Sequence, residues 1–318
     1  MKMFSVVICT YNGAKNIEKV LDSILNCREI DTLVEEILVV DNASTDNLAS
    51  TVHSYINRHP LVKYCYESNS GLSNARKRAL DCSGEWIIYF DDDNLPCEHW
   101  LTESKQYISK NPNIGVFGGR NIACVQDELT EEQRLYLQCL KGNLACHYES
   151  YDDYSKKRNC SAKESVFGAG MTIKKSILSK LLESGWTKGL GRTGQNLGAY
   201  EDTEIILFAL SSGYEMGILD EVYLYHLIPK GRLEKEYLLR LRKGMDDSEL
   251  FAVVNGMNPI KNRCKLFLKD ALKLLKYSAI YLTTSRKDKT FAYFMVISCM
   301  HKVRCFPAQV IDLLKATR

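Results

Sequence analysis

The chain has 318 residues, a formal net charge of +3, and 45% hydrophobic and 25% charged side chains. This composition is typical of a globular protein with one large domain, or one domain and a smaller appendage. The small net charge argues against nucleic-acid binding across the whole surface. The 12 cysteines include no Cys-x-x-Cys pair, so no zinc framework is indicated.

The N-terminal sequence "MKMFSVVICTYNG" is predicted to be a strand followed by a loop, not a secretion signal. We therefore expect reduced thiols and a cytoplasmic protein. The apolar run "FAYFMVISCM" (291–300) stops well short of the roughly 18 residues that a membrane-spanning helix needs. A transmembrane protein is not predicted.

The first half of the chain alternates between apolar runs and helical patterns. The apolar runs predict strands that are buried on both faces: "FSVVIC" (4–9), "EEILVV" (35–40), "VKYCYE" (62–67) and "EWIIYF" (85–90). The segments between them predict helices: "AKNIEKVLDSIL" (14–25), "DNLASTVHSYI" (46–56) and "GLSNARKRALDC" (71–82). This alternation predicts an α/β fold with a mostly parallel, doubly wound sheet.

Beyond residue 95 the pattern is less regular. Residues 120–165 are polar and Tyr-rich, and we predict irregular structure there. The glycine-rich stretch 187–200 predicts a mobile loop of the type that closes over substrates. The other predicted elements are a helix at 98–109, a strand at 114–119, a strand at 167–175, a helix from residue 201, and a hairpin at 215–226.

The segment from about residue 233 onward is helical in pattern and basic. Beyond Pro259 there are 13 Lys and Arg residues against 3 acidic residues. Two interpretations remain open: a solvated helical cap on the domain, or a basic patch that rests on anionic lipid.

Polar loops follow each of the four predicted strands. In a doubly wound sheet, ligands bind beyond the carboxyl ends of the strands. Neither glycine-rich phosphate motif follows the first strand, which disfavours a Rossmann dehydrogenase or a P-loop kinase. The fourth strand ends in Asp91, Asp92 and Asp93. A divalent cation could neutralise this cluster, with Asp91 and Asp93 on one side and Asp92 on the other, but a solvated acidic turn is the alternative.

These segments carry a family resemblance. The motifs "VVICTYNG", "ILVVDNASTD", "NSGLSNARKRAL", "WIIYFDDDN", "YEDTEI" and "YLYH" resemble, in order and spacing, those of a family 2 glycosyltransferase with the GT-A fold. The resemblance covers roughly residues 4–232. It implies a glycosyltransferase domain at 1–232, with a nucleotide-binding half at about 1–95 and an acceptor half at about 96–232. A helical basic extension would occupy 233–318.

The resemblance also implies donor-binding residues. Thr10 and Tyr11 would line the nucleoside pocket, and Asp41 would accept a hydrogen bond from the imide N–H of a pyrimidine base. Asn69 and Arg76 would lie near the ribose and diphosphate. Asp91 and Asp92 belong to the nucleotide-binding set, and Asp91 is also assigned to the metal site.

The metal and catalytic roles rest on the same resemblance. Asp93 and His226 would bind Mn²⁺ or Mg²⁺, and Asp202 would be the general base that deprotonates the acceptor hydroxyl. Three further residues are assigned to acceptor or loop contacts: Glu201, Arg192 and Trp186.

Each assignment has a structural alternative. Asp41 could cap a turn, and Arg76 could lie on a solvated basic face. Glu201 and Asp202 begin a helix, where acids favour the dipole in any case. A lone histidine such as His226 is usually structural, and Trp186 could fill the core instead of stacking on a sugar.

The predicted function is inverting transfer of a sugar from a UDP or dTDP donor to an acceptor hydroxyl. The chain lacks the Q-x-x-R-W signature of processive synthases, which favours single addition. The expected acceptor is a glycan or lipid-linked saccharide of bacterial surface polysaccharide assembly, with peripheral contact at the inner membrane face and no nucleic-acid partner. The alternatives are a nucleotidyltransferase and a catalytically silent sugar-nucleotide-binding protein.

Overall fold

The computed structural model describes residues 2–157, 166–186, 197, 201–252 and 260–316. The chain forms two compact units. The first comprises 1–126, 144–189 and 201–228, and the second comprises 127–143, 190–200 and 229–318. Residues 127–143, assigned above to the acceptor half, thus belong to the unit that contains the C-terminal segment.

The first unit is built on one eight-stranded sheet. Its strands are β1 (Phe4–Thr10), β2 (Val34–Asp41), β3 (Val62–Tyr66), β4 (Trp86–Asp91), β5 (Asn94–Pro96), β6 (Ile114–Cys124), β7 (Met171–Lys174) and β8 (Glu215–Leu227). Their order is β3-β2-β1-β4-β7-β6-β8-β5. The first four strands of this order run parallel, and β6 runs parallel to β8, whereas β7 and β5 are antiparallel to their neighbours. The predicted α/β fold with a mostly parallel sheet is confirmed.

Helices cover both faces of this sheet. They are α1 (Ile17–Leu25), α2 (Ile30–Leu33), α3 (Leu48–Ile56), α4 (Leu72–Lys77), α5 (Trp100–Lys110), α7 (Tyr151–Lys157), α8 (Lys175–Glu183) and α9 (Glu201–Ser211). Strand β1 explains how the sheet supports two cores. Val6 and Ile8 pack with α1, α3 and α5, whereas Val7 and Cys9 pack with α4, α8 and α9. Alternate side chains of one apolar run therefore enter opposite cores, as expected for a strand covered on both faces.

The second unit is helical. Its helices are α6 (Glu131–Leu140), α10 (Lys235–Ala252), α11 (Ile260–Thr283) and α12 (Arg286–Ala316). Helix α6 begins with a capping box, in which the Thr130 hydroxyl accepts a hydrogen bond from the Gln133 N–H and the Gln133 side chain binds back to Thr130. Tyr136 of this helix packs edge-on against Phe294 of α12, with ring centroids 5.7 Å apart.

Two predictions of local structure were wrong. Residues 120–165 are not irregular where they are described, because β6 continues to Cys124 and α6 and α7 follow. The predicted hairpin at 215–226 is one long strand, β8. The register of β6 against β8 shifts between Gly118 and Arg120. Within this strand Asp220 pairs with the buried Arg120 at 2.6 Å.

Candidate active site

The acidic triplet lies where β4 gives way to β5, and its carboxylates diverge. Asp91 is the last residue of β4, and its backbone N–H donates to the Asn94 side chain over 2.9 Å. Asp92 accepts a hydrogen bond from the Thr10 hydroxyl at the end of β1. Asp93 faces His226 instead. Two of the three neighbouring carboxylates, those of Asp92 and Asp93, are thus held by different partners.

Asp93 and His226 form a buried acid–imidazole pair. The antiparallel pairing of β5 with β8 sets Asn94 opposite His226, which brings the preceding Asp93 beside the imidazole. Asp93 Oδ1 lies 3.3 Å from His226 Nε2, and the two residues are 6% and 5% exposed. Burial lowers the pKa of His226, but the Asp93 carboxylate outweighs it and holds that pKa well above the ordinary value.

Cys146 completes the surroundings of His226, and the sequence analysis missed it. Its Sγ lies 3.7 Å from His226 Nδ1, and its thiol donates to the Leu144 carbonyl over 3.4 Å. Such a contact orients the ring so that Nε2 points toward Asp93. No sequence signal links the two residues, which lie 80 positions apart.

The donor set of this pair fits a hard to borderline divalent cation. Carboxylate oxygen and imidazole nitrogen suit Mn²⁺, and Mg²⁺ also takes carboxylates. Within the described part of the chain, no three His, Cys, Asp or Glu side chains are grouped closely enough to hold a metal by themselves. Such a cation would therefore need further ligands from diphosphate oxygens and water, which is how Mg²⁺ is usually held.

A second charged cluster surrounds Arg76. Its guanidinium Nη1 lies 3.0 Å from Glu201 Oε1, and both residues are almost fully buried. Burial lowers the pKa of Arg76, but the nearby carboxylates of Glu201, Asp91 and Asp202 outweigh burial and raise that pKa above its ordinary value. The side chain therefore stays charged. The proposed alternative of a solvated basic face is wrong for Arg76.

Asp202 lies beside this pair, at the first turn of α9. Its Oδ2 accepts a hydrogen bond from the Gly168 N–H at 3.1 Å, and its Oδ1 accepts one from the Thr203 N–H at 2.7 Å. Gly168 also allows Arg76 to approach, because a Cβ there would lie 2.1 Å from the guanidinium. Asp202 is only partly buried. Its role as general base stays a prediction.

The last residue of β2 is Asp41, which was predicted to contact the nucleobase of the donor. Asp41 is 3% exposed, and its Oδ1 accepts the Ser44 N–H at 2.8 Å. Its Oδ2 accepts the Tyr64 hydroxyl at 2.7 Å. The turn-capping alternative is therefore observed. Each carboxylate oxygen can accept a further hydrogen bond, so contact with a base stays a prediction.

The loop beyond β3 depends on Asn42, which the sequence analysis did not single out. Its amide donates to the carbonyls of Glu67 and Asn69, and its side-chain oxygen accepts the Gly71 N–H at 2.7 Å. Asn69, predicted near the ribose, is exposed at this loop. Asn42 directly follows Asp41 in the motif "DNAS", which was the available signal.

The remaining predicted residues differ in their surroundings. Thr10 is buried, whereas Tyr11 is 55% exposed beside it and available for contact. Trp186 is 4% exposed and packs in the core between the sheet and α8, which is the core-filling alternative. Arg192 lies outside the described residues.

The sequence profile of glycosyl transferase family 2 matches residues 5–182, more than half of the chain. The chain belongs to glycosyl transferase family 2. The family resemblance predicted from the six motifs is therefore confirmed.

Two curated proteins are similar to part of this chain. The cholesterol galactosyltransferase of Borreliella burgdorferi is 31% identical over 91 residues, which are 28% of this chain and 25% of that protein. The poly(ribitol-phosphate) beta-N-acetylglucosaminyltransferase TarS of Staphylococcus aureus is 31% identical over 113 residues, which are 35% and 20% of the two chains. The chain thus spans a quarter or less of the length of these two relatives.

Two of the solved structures that share the fold cover most of the chain. The Pyrobaculum calidifontis mannosyltransferase PcManGT, solved with GDP-Man and Mn²⁺, has a TM-score of 0.59 at 19% identity and covers 94% of this chain and 86% of its own. Residues 1–349 of S. aureus TarS, solved with UDP-GlcNAc, have a TM-score of 0.54 at 16% identity, covering 98% and 89%. At these identities the likeness is one of fold.

Among the described helices, none combines the length and the apolarity that crossing a bilayer requires.

Proposed function

We propose that this protein is an inverting glycosyltransferase that moves a sugar from a UDP or dTDP donor to an acceptor hydroxyl. The observation that carries the proposal is the cluster around Arg76. This buried cation interacts with Glu201, Asp91 and Asp202 beyond the carboxyl ends of parallel strands, where doubly wound sheets bind ligands. Family membership and the nucleotide-sugar complexes of its fold neighbours support the same conclusion.

The nucleoside of the donor would bind at the ends of β1, β2 and β3. Asp41 would accept the imide N–H of uracil or thymine, since each oxygen has a lone pair beyond those used by Ser44 and Tyr64. The exposed ring of Tyr11 would pack against the base, and Asn69 would contact the ribose. Uracil and thymine present the same imide edge, so both donors fit.

The diphosphate would bind beside the acidic triplet. A divalent cation, Mn²⁺ or Mg²⁺, held by Asp93 and His226 with Asp91 nearby, would neutralise the diphosphate charge. Arg76 would act through its field, because its guanidinium is buried against Glu201. Thr10 holds the third carboxylate, Asp92, at the same edge.

Asp202 would remove the proton from the acceptor hydroxyl as that oxygen attacks the anomeric carbon. Hydrogen bonds from two backbone N–H groups hold its carboxylate in place. In-line attack opposite the departing nucleoside diphosphate inverts the configuration and needs no covalent enzyme intermediate. Glu201 would fix Arg76 and the start of α9, so that Asp202 keeps its position.

The proposed acceptor is a glycan or lipid-linked saccharide of surface polysaccharide assembly. A lipid-linked acceptor lies at a membrane, and the basic segment beyond Pro259 suits peripheral contact there.

One assay tests the proposal against its alternatives. The purified chain is incubated with Mn²⁺ and a set of UDP and dTDP sugars, with and without saccharide acceptors. Slow donor hydrolysis, or transfer to an acceptor, supports a transferase. Release of pyrophosphate would indicate a nucleotidyltransferase, and donor binding without either product would indicate a silent binding protein.

A further inference from the structure

Helix α11 presents an apolar stripe to the outside of the second unit. Four leucines on this helix are between 58% and 76% exposed: Leu268, Leu272, Leu275 and Leu282. Their spacing of four, three and seven residues places them on one face of the helix. Large apolar side chains exposed in a row are unusual on a globular protein and mark an interaction surface.

The opposite side of α11 is already used. Tyr277 packs edge-on against Phe291 of α12, with ring centroids 5.8 Å apart, and Tyr281 lies 6.3 Å from Tyr293. The leucine stripe is therefore not the side that holds the helical unit together.

Lysines border this stripe. Lys269, Lys273 and Lys276 each follow a leucine of the stripe directly, so they lie about 100° around the helix from it. Together with Leu268 and Leu272 they line a shallow depression on the surface. The exposed face of α11 thus combines an apolar strip with a row of positive charge along one edge.

This charge distribution decides which partner the face fits. Two copies of the chain paired stripe to stripe would bring two rows of lysine into one small interface, where like charges repel. An anionic lipid surface satisfies both features. Leucines can enter the boundary between headgroups and acyl chains, while the lysine stems lie along that boundary and their ammonium groups reach lipid phosphates.

We propose that the exposed face of α11 docks on an anionic lipid surface, with the leucines inserted and the lysines on the phosphates. This inference specifies the membrane contact included in the proposed function, but it is independent of the donor chemistry. The face includes none of the residues assigned to catalysis and donor binding.

Vesicle binding by the purified full chain tests the inference. We expect co-sedimentation with vesicles of phosphatidylcholine mixed with phosphatidylglycerol, weakening as salt is raised, and little with phosphatidylcholine alone. Equal binding to both vesicle types, or none to either, would overturn the proposal.

Matched variants locate the contact. Lys276→Glu should weaken binding to anionic vesicles by at least about fivefold. Lys110→Glu, an exposed lysine on α5 with the same change in charge, should not. Leu272→Asp should likewise reduce binding, whereas Leu182→Asp, at an exposed leucine of α8, should not. Equal effects within either pair would refute docking through α11.

Two further measurements distinguish a lipid contact from self-association and from a failed transferase assignment. Light scattering on the vesicle-free protein tests for self-association. A dimer that Leu272→Asp dissociates, found without vesicle binding, would assign the stripe to a second copy of the chain and refute the lipid contact. Donor turnover without vesicles should be unchanged in all four variants. Loss of vesicle binding in the α11 variants with unchanged donor turnover supports the lipid contact. If no form of the protein turned over a donor but the parent still bound anionic vesicles, only the transferase proposal would be contradicted.

Discussion

A buried charged cluster in the first unit can be compared with one in the second, because each contains an arginine and a carboxylate. In the first unit, Arg76 interacts with three carboxylates, those of Glu201, Asp91 and Asp202. In the second unit the cationic groups outnumber the carboxylates, because one aspartate, Asp246, interacts with both Arg242 and Lys302. Asp246 Oδ1 accepts from Arg242 at 2.9 Å and Ser298 at 3.0 Å, with Lys302 Nζ at 3.4 Å.

The surroundings of the two clusters differ as well. Asp246 and its partners join helices α10 and α12, and Asp246 is only 1% exposed. The cluster of Arg76 lies beyond the ends of strands, and its neighbour Asp202 is only partly buried. Buried ion pairs contribute little net stability on average, so a cluster with an excess of acid is better explained by binding and chemistry than by folding.

The largest expected effect tests the acid-rich cluster. Asp202→Asn keeps the shape of the side chain but removes its basicity, so we expect turnover to fall by about 10²- to 10⁴-fold. Donor affinity, measured by titration calorimetry, should stay within about twofold of the parent because the base contacts the acceptor. Unchanged turnover would remove Asp202 from the role of general base.

Asp246→Asn is the matched control for this variant. It makes the same chemical change in the helical cluster, so turnover per folded molecule should match that of the parent. A comparable loss in both variants would show that the two clusters do not differ in function.

The next effect concerns stability and is confined to the helical cluster. Asp246→Ala leaves Arg242 and Lys302 without their shared carboxylate, so we expect the free energy of unfolding to fall by about 3–5 kcal/mol. Urea unfolding followed by circular dichroism measures the change. A decrease in the free energy of unfolding below about 1 kcal/mol would mean that this cluster does not stabilise the packing of α10 on α12.

A smaller effect is expected at the proposed metal pair. Asp93→Ala removes the carboxylate beside His226, and we expect Mn²⁺ and donor to bind at least about tenfold more weakly. Calorimetric titration with Mn²⁺ alone and with donor present measures both affinities. Cys146→Ser, which keeps a polar group near Nδ1, serves as a milder comparison. Parent-like Mn²⁺ affinity in the Asp93 variant would exclude that residue as a ligand.

The sheet, and the edge of it at which the candidate site lies, could be predicted from the sequence for a physical reason. Strands buried on both faces are continuous apolar runs, and parallel topology brings their polar ends together. The sequence did not predict the burial of Arg76, because "NARKRAL" resembles an exposed helix face and its partner Glu201 lies 125 residues away. The contact between Cys146 and His226 was missed for the same reason.

Local errors had a different origin. The hairpin prediction failed because Arg120, which supplies Asp220 with a partner inside one long strand, lies 100 residues away in the sequence. Helix α6 was missed although "TEEQ" (130–133) is the signature of a capping box. Pairing across the sheet is set by distant residues, but the cap was visible in the sequence.

A third charged cluster sharpens the comparison because its charges balance. Glu36 Oε2 pairs with Lys63 at 2.6 Å, and its Oε1 accepts from the Ser5 hydroxyl and the Ser83 N–H. Burial raises the pKa of Glu36, but these hydrogen bonds outweigh it and lower that pKa below its ordinary value of 4.5. One acid and one base leave no charge for a ligand to neutralise, so we expect a purely structural role.

The pH dependence of stability tests that role. A carboxyl whose pKa is lower in the folded state stabilises the protein at neutral pH, and this contribution is lost as pH falls from 4.5 through the folded-state pKa. Glu36→Gln should therefore lower the free energy of unfolding by about 1 kcal/mol at neutral pH, since Lys63 is half exposed and screened by water. The deficit should shrink below pH 4.5. If the difference in free energy of unfolding between Glu36→Gln and the parent did not change with pH, packing and not charge would account for it. The Glu36 cluster could then not be compared with the other two as an electrostatic interaction.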